Sequence, residues 1–213
     1  MEKADKKYGS LLVAVLLLVT LTGLSIFMSG CTKPVTNKNV TEQDAITFVL
    51  DDLKAKYPDA EVTEIAEITN SGDSWYIKAK VTYNYSTPCP VRMHLYYDYP
   101  KKGFSISPPE YVTRDCKVCQ IGSSCVIGTP EEAIIASHIL AGSETAASYI
   151  SLHKDAKPEA KFYAEYVADG EKNQNVWVVK WYSASTNYGV YVMISNEGQI
   201  MNVWEVAKAE MPA

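Results

Sequence analysis

Trp75-Tyr76-Ile77-Lys78-Ala79-Lys80-Val81-Thr82-Tyr83-Asn84-Tyr85-Ser86 alternates without a break between one class of side chain and another. Trp75, Ile77, Ala79, Val81, Tyr83 and Tyr85 are apolar or aromatic, and between them stand Tyr76, Lys78, Lys80, Thr82, Asn84 and Ser86. A period of two is the repeat of an extended chain, and this composition predicts a strand with one buried and one solvated face. Val91, Met93, Leu95 and Tyr97 alternate with Arg92, His94, Tyr96 and Asp98 in the same way, which supplies an antiparallel partner. The turn between them is Thr87-Pro88-Cys89-Pro90. A weaker strand is expected near Val62 to Thr69, and Tyr99 to Gly103 supplies a further turn.

Upstream of these strands the period changes. Ile46, Val49, Leu50, Leu53 and Tyr57 line one face of a helix that opens at Thr41-Glu42-Gln43-Asp44, where a hydroxyl is followed three residues later by a carboxylate, and Pro58 stops it. The same plan recurs 88 residues on. Thr129-Pro130-Glu131-Glu132 places proline at the first helical position, Ile134, Ile135, His138 and Ile139 continue the helix, and Gly142 interrupts it. Ser143 to His153 predicts a further helical stretch. Strands are expected at Phe162 to Ala168, Val176 to Ser183, Tyr188 to Ser195 and Gln199 to Val206, with Asn196-Glu197-Gly198 as the last turn. A helix packed on one face of an antiparallel sheet, twice, is an α+β fold. The expected organisation is a membrane segment over residues 1–30, a tether over 31–40, a first unit over 41–104, a cysteine-rich linker over 105–128 and a second unit over 129–209.

Helix, then three or four strands with a Trp-x-Val or Trp-x-Ile start and an Asn/Asp-x-x-Gly-type final turn, resembles the PepSY domain and the wider cystatin-like architecture. Thr129, Ala133, Trp177-Val178-Val179, Tyr191-Val192 and Asn196-Glu197-Gly198 carry the resemblance in the second unit, over about 75 residues, and residues 41–104 share it more loosely. The resemblance implies a protein that binds a partner or restrains a peptidase.

The N-terminus addresses the location. Lys3, Lys6 and Lys7 precede an uncharged run from Leu11 to Met28, and Met28-Ser29-Gly30-Cys31 resembles a prokaryotic lipobox with methionine in the leucine position. As a helix the run is about 27 Å long, close to the hydrocarbon thickness of a bilayer. It is longer than the usual signal core, so an uncleaved transmembrane anchor is the alternative to a cleaved signal with lipidation at Cys31. In either case the lysines hold the N-terminus inside and the remainder is expected outside, at the cell membrane.

Without residues 1–30 the chain has 17 basic and 23 acidic residues, and no basic tract supports nucleic-acid binding. Cys89, Cys116, Cys119 and Cys125 make an even set in an exported chain, which predicts two disulfides among three possible pairings. Two other fates remain open: a four-cysteine metal site, since Cys116-x-x-Cys119 has ligand spacing, and a thiol-disulfide redox pair at Cys116 and Cys119. Gln120 stands where a haem-attachment motif requires histidine. Motifs for serine hydrolases, zinc peptidases, nucleotide phosphates and dinucleotides are absent, no catalytic residue stands out, and no cofactor is implied. His138 falls within the apolar helix, and His94 is expected on the solvated strand face. Asn39-Val40-Thr41 and Asn84-Tyr85-Ser86 match the glycosylation sequon. Fifteen tyrosines point to a sheet-rich fold and are not by their number a binding site; the candidate face is the solvated sheet surface, with Tyr76, Arg92, His94, Tyr96 and Tyr182 as its candidate residues. The function expected is that of a membrane-tethered, extracytoplasmic binding protein acting on an envelope protein or peptidase.

Overall fold

Helix α1 (Glu42–Lys56) begins with the reciprocal pair that its sequence forecasts: the Asp44 amide donates to Thr41 Oγ1 at 3.2 Å, and the Thr41 amide donates to the Asp44 carboxylate at 3.0 Å. The computed structural model describes residues 40–103, 105–119, 125–168 and 170–210. The apolar run, Cys31 and Asn39 lie outside these residues. Among the described residues no helix is long and apolar enough to cross a membrane.

Ala45, Val49 and Leu53 are fully buried on one side of α1, at spacings of four, and they pack on a sheet of order β1-β2-β3-β4. Its strands are β1 (Val62–Asn70), β2 (Trp75–Tyr83), β3 (Val91–Tyr99) and β4 (Glu110–Thr113), all antiparallel. The alternation sets the register: Ile77 faces Tyr97, Ala79 faces Leu95 and Val81 faces Met93, and these six form the core with the helix. The Tyr97 hydroxyl reaches through that core to donate to Asp52 of α1 at 2.9 Å. Strand β4 comes from the stretch expected as linker. It is four residues long, too short for alternation to reveal, and it continues an edge begun where the Ile106 amide donates to Tyr96 O.

The second unit holds α2 (Pro130–Ile139), α3 (Glu144–Leu152) and an antiparallel sheet of β5 (Lys157–Ala168), β6 (Glu171–Tyr182), β7 (Tyr188–Ser195) and β8 (Ile200–Ala207), in that order. Ala133, Ile134, Trp177, Val179, Trp181, Val190, Val192 and Ile194 are its core. The indole nitrogens inside it are satisfied: Trp181 donates to Ser137 Oγ and Trp177 to Ile127 O, each at 2.8 Å.

Helix α2 departs from a one-sided pattern. Glu131 and Ile135 are buried as well as Ala133, Ile134, Ala136 and Ser137, whereas Ile139 is exposed. Glu131, Ile135 and His138 are spaced i, i+4 and i+7, a single stripe, and both ends of that stripe bond to the first unit, Glu131 to Thr82 and His138 to Pro88 O. The helix therefore serves two neighbours, its own sheet and the first sheet.

Cys89 is joined to Cys116, and Cys119 to Cys125. The first bond ties the β2–β3 turn to the segment after β4. The second packs against Gly198 in the β7–β8 turn, whose φ of +78° and missing side chain make room for it. The two disulfides point to an oxidising, extracytoplasmic location.

Candidate binding face

The even-numbered residues of β2 and β3 look away from α1. Thr82 pairs with Arg92, Lys80 with His94, Lys78 with Tyr96 and Tyr76 with Asp98 across the two strands. On β1, Glu64 lies opposite Lys80, with which it forms an ion pair, and Glu67 lies opposite Lys78. On β4, Glu110 lies opposite His94 and accepts the Tyr96 hydroxyl. The face is thus a checkerboard of opposite charges set by register.

One end of this face is covered. The Glu131 carboxylate, 0% exposed, accepts from Thr82 Oγ1 at 2.9 Å and from Arg92 Nη1 at 3.0 Å. Arg92 also directs Nε and Nη2 at His94 Nε2, at 3.3 and 3.2 Å. A guanidinium has only donors, so Nε2 must be the accepting nitrogen and the ring proton sits on Nδ1, 3.9 Å from the Glu110 carboxylate. Burial, followed by the Lys78 and Arg92 cations, holds the His94 pKa below its ordinary 6.5. His94 is only 7% exposed, which corrects the expectation that it stands on a solvated face: the Arg92 guanidinium, itself held by Glu131 of α2, closes against its Nε2.

The other end is open. Tyr76 is 45% exposed, Lys78 Nζ sits 5.8 Å from the centre of the Tyr96 ring, and a cavity of about 330 Å³ lies between them, walled by Glu67, Thr69, Ile106 and Ser107. Asp98, opposite Tyr76 and 5% exposed, has an Oδ1 with no hydrogen-bond partner among the described residues. A buried acceptor of that kind is uncommon and calls for a donor.

Tyr76, Arg92, His94 and Tyr96 therefore share one face, Arg92 and His94 at its covered end and Tyr76 and Tyr96 at its open end. Tyr182 does not join them. It lies in β6 of the second sheet, with Lys180 Nζ 5.5 Å from its ring centre. The cysteines of Cys116-x-x-Cys119 take different partners, and the four cysteines do not converge; instead Cys89, Cys116 and His138 bring ligand-type atoms within 4.8 Å of one another. Sequence reasoning missed Glu131, Glu110 and Asp98. A signal for Glu131 existed: Glu132 alone completes the cap, accepting from Thr129 Oγ1 and the Gly128 amide at 3.0 Å each, so its acidic neighbour was left without a local task.

No family model, no curated protein and no solved structure matches this chain. The architecture is two α+β units, each with a four-stranded antiparallel sheet against helix, and function has to be argued from the face itself.

Proposed function

We propose that this is a membrane-tethered, extracytoplasmic binding protein that recognises an envelope protein or peptide on the open end of the first sheet's polar face, by contact rather than catalysis. The observation that carries the proposal is the cavity of about 330 Å³ lined by the Tyr76 and Tyr96 rings, with the buried Asp98, whose Oδ1 has no hydrogen-bond partner among the described residues, opposite Tyr76 in the strand register. A backbone amide or an ammonium group of a bound peptide satisfies such an oxygen, while Tyr76 and Tyr96 supply rigid aromatic contact. The apolar N-terminal run and Cys31 would hold the face close to the membrane, and the PepSY-type resemblance makes a peptidase a natural partner.

Peptides selected by display on the full chain in mild detergent test this. The enriched peptides should lose tenfold or more in affinity for Tyr76→Ala and for Asp98→Asn, and keep it for Leu152→Ala, a residue 75% exposed on α3. Failure to enrich any peptide, or binding indifferent to Tyr76, would contradict the proposal.

A further inference from the structure

We propose that Cys89, Cys116 and His138 form a binding site for a thiolate-seeking divalent cation of the zinc class once the Cys89–Cys116 bond is reduced. The three ligand-type atoms lie within 4.8 Å of one another, and they come from three separate segments: the β2–β3 turn, the stretch after β4, and α2. Convergence from three segments is what a structural metal site needs, because the metal then closes loops that the chain alone leaves open.

The main adjustment is between the two sulfurs, bonded to each other in the disulfide, which would separate to about 3.8 Å around a tetrahedral ion. Bonds of about 2.3 Å to sulfur and 2.0–2.1 Å to nitrogen at a tetrahedral centre set sulfur and nitrogen about 3.6 Å apart. Cys116 Sγ and His138 Nε2 are 4.0 Å apart. The ring meets the Trp181 indole edge-on at 5.9 Å between centres, and the Nε2–H that donates to Pro88 O at 2.8 Å is the bond a metal would replace. All three residues are half-buried, so a cation has access and the fourth position stays open to water. Cys119 and Cys125 are outside the cluster, bonded to each other against Gly198. The donor set is therefore two thiolates and one imidazole, not four thiolates.

The chemistry balances with a dithiol as reductant. Two electrons and two protons pass from the dithiol to the Cys89–Cys116 bond, giving two thiols and leaving the dithiol as a disulfide. The cation then displaces both thiol protons, and the imidazole binds through Nε2 with its proton on Nδ1, releasing Pro88 O to water. Oxidation by a disulfide reverses the sequence, reforms the bond and expels the cation. The site and the disulfide are alternative staples at one position, the first suited to reducing and the second to oxidising surroundings.

Cobalt(II) alone, added to the full chain in detergent with a phosphine reductant, tests the assignment. One cobalt should bind per chain, with thiolate-to-metal charge-transfer absorption and the visible bands of a tetrahedral centre, while the near-ultraviolet dichroism of the tryptophans persists. Cys119→Ser/Cys125→Ser should bind as the parent does, and Cys89→Ser/Cys116→Ser should lose the charge-transfer band. His138→Gln keeps a side-chain donor for Pro88 O and should bind at least tenfold more weakly. No charge-transfer band at millimolar cobalt would overturn the proposal. So would a band that survives in Cys89→Ser/Cys116→Ser, binding unaffected by His138→Gln, or binding only to a chain whose tryptophan dichroism is lost.

Discussion

Glu131 is a carboxylate without solvent contact whose two protein partners both belong to the other unit. Removing one member of a buried, bonded ion pair leaves the other uncompensated, which costs about 3–5 kcal/mol. Glu131→Ala should lower unfolding stability by that amount in a urea titration, and Glu131→Gln by less, since the amide oxygen still accepts one bond. His94 gives the face a pH dependence with a definite sign. Its pKa is lowered in the folded chain, so the unfolded chain takes up the proton first as pH falls. Its contribution is complete above 6.5, the ordinary value, and is lost as pH falls through the lowered folded one. Protonation also sets an N–H against the Arg92 donors. Unfolding measured from pH 8 to pH 5 should therefore show a loss on the acid side that His94→Gln reduces. Neither effect was legible from the residues alone. His94 has the alternation of a solvated position, and nothing in that alternation announces the Arg92–Glu131 pair that closes against it.

At the level of elements the sequence was far more explicit. Both N-caps form at the threonines that precede the helical periodicity, because a hydroxyl with a carboxylate three residues on satisfies otherwise orphaned amides. Thr129→Ala removes a bond to the Glu132 amide and should cost about 1 kcal/mol, read from the thermal midpoint. The long strands β2 and β3 appear with their predicted inward residues as far as Tyr83, but β2 ends there, and Tyr85, expected as its last inward residue, follows Asn84 at a φ of +55° and packs against the second unit's core. Strand β4 and the cysteine pairing were not legible. Four residues are too few for a period, and pairing depends on where distant turns meet rather than on spacing. Gly198 shows the consequence: a methyl group there would strike the Cys125 sulfur, at a φ that disfavours any side chain. Gly198→Ala should destabilise the protein by more than the roughly 1 kcal/mol of a glycine replaced at positive φ alone, and the excess should vanish in Cys119→Ala/Cys125→Ala.

Across the described part of residues 40–210, two small α+β units meet at the covered end of the first sheet's polar face. Each is of a size at which a single core is marginal. The Glu131 seam, the His138 bond to Pro88 O and the Cys89–Cys116 bond offset that weakness between them. Closing a loop of 27 residues constrains the unfolded chain by about 3 kcal/mol, so Cys89→Ser/Cys116→Ser should lose that much stability in urea. The same braces fix one end of the polar face, leaving Tyr76 and Tyr96 at the other, with the buried Asp98 opposite Tyr76. The most direct test of the proposed function is photo-crosslinking in the native cell, with a photoreactive phenylalanine placed at Tyr76 and, as control, at Leu152. The account predicts a discrete envelope-protein adduct from position 76 that is absent from position 152; no adduct from either position, or the same adduct from both, would contradict it.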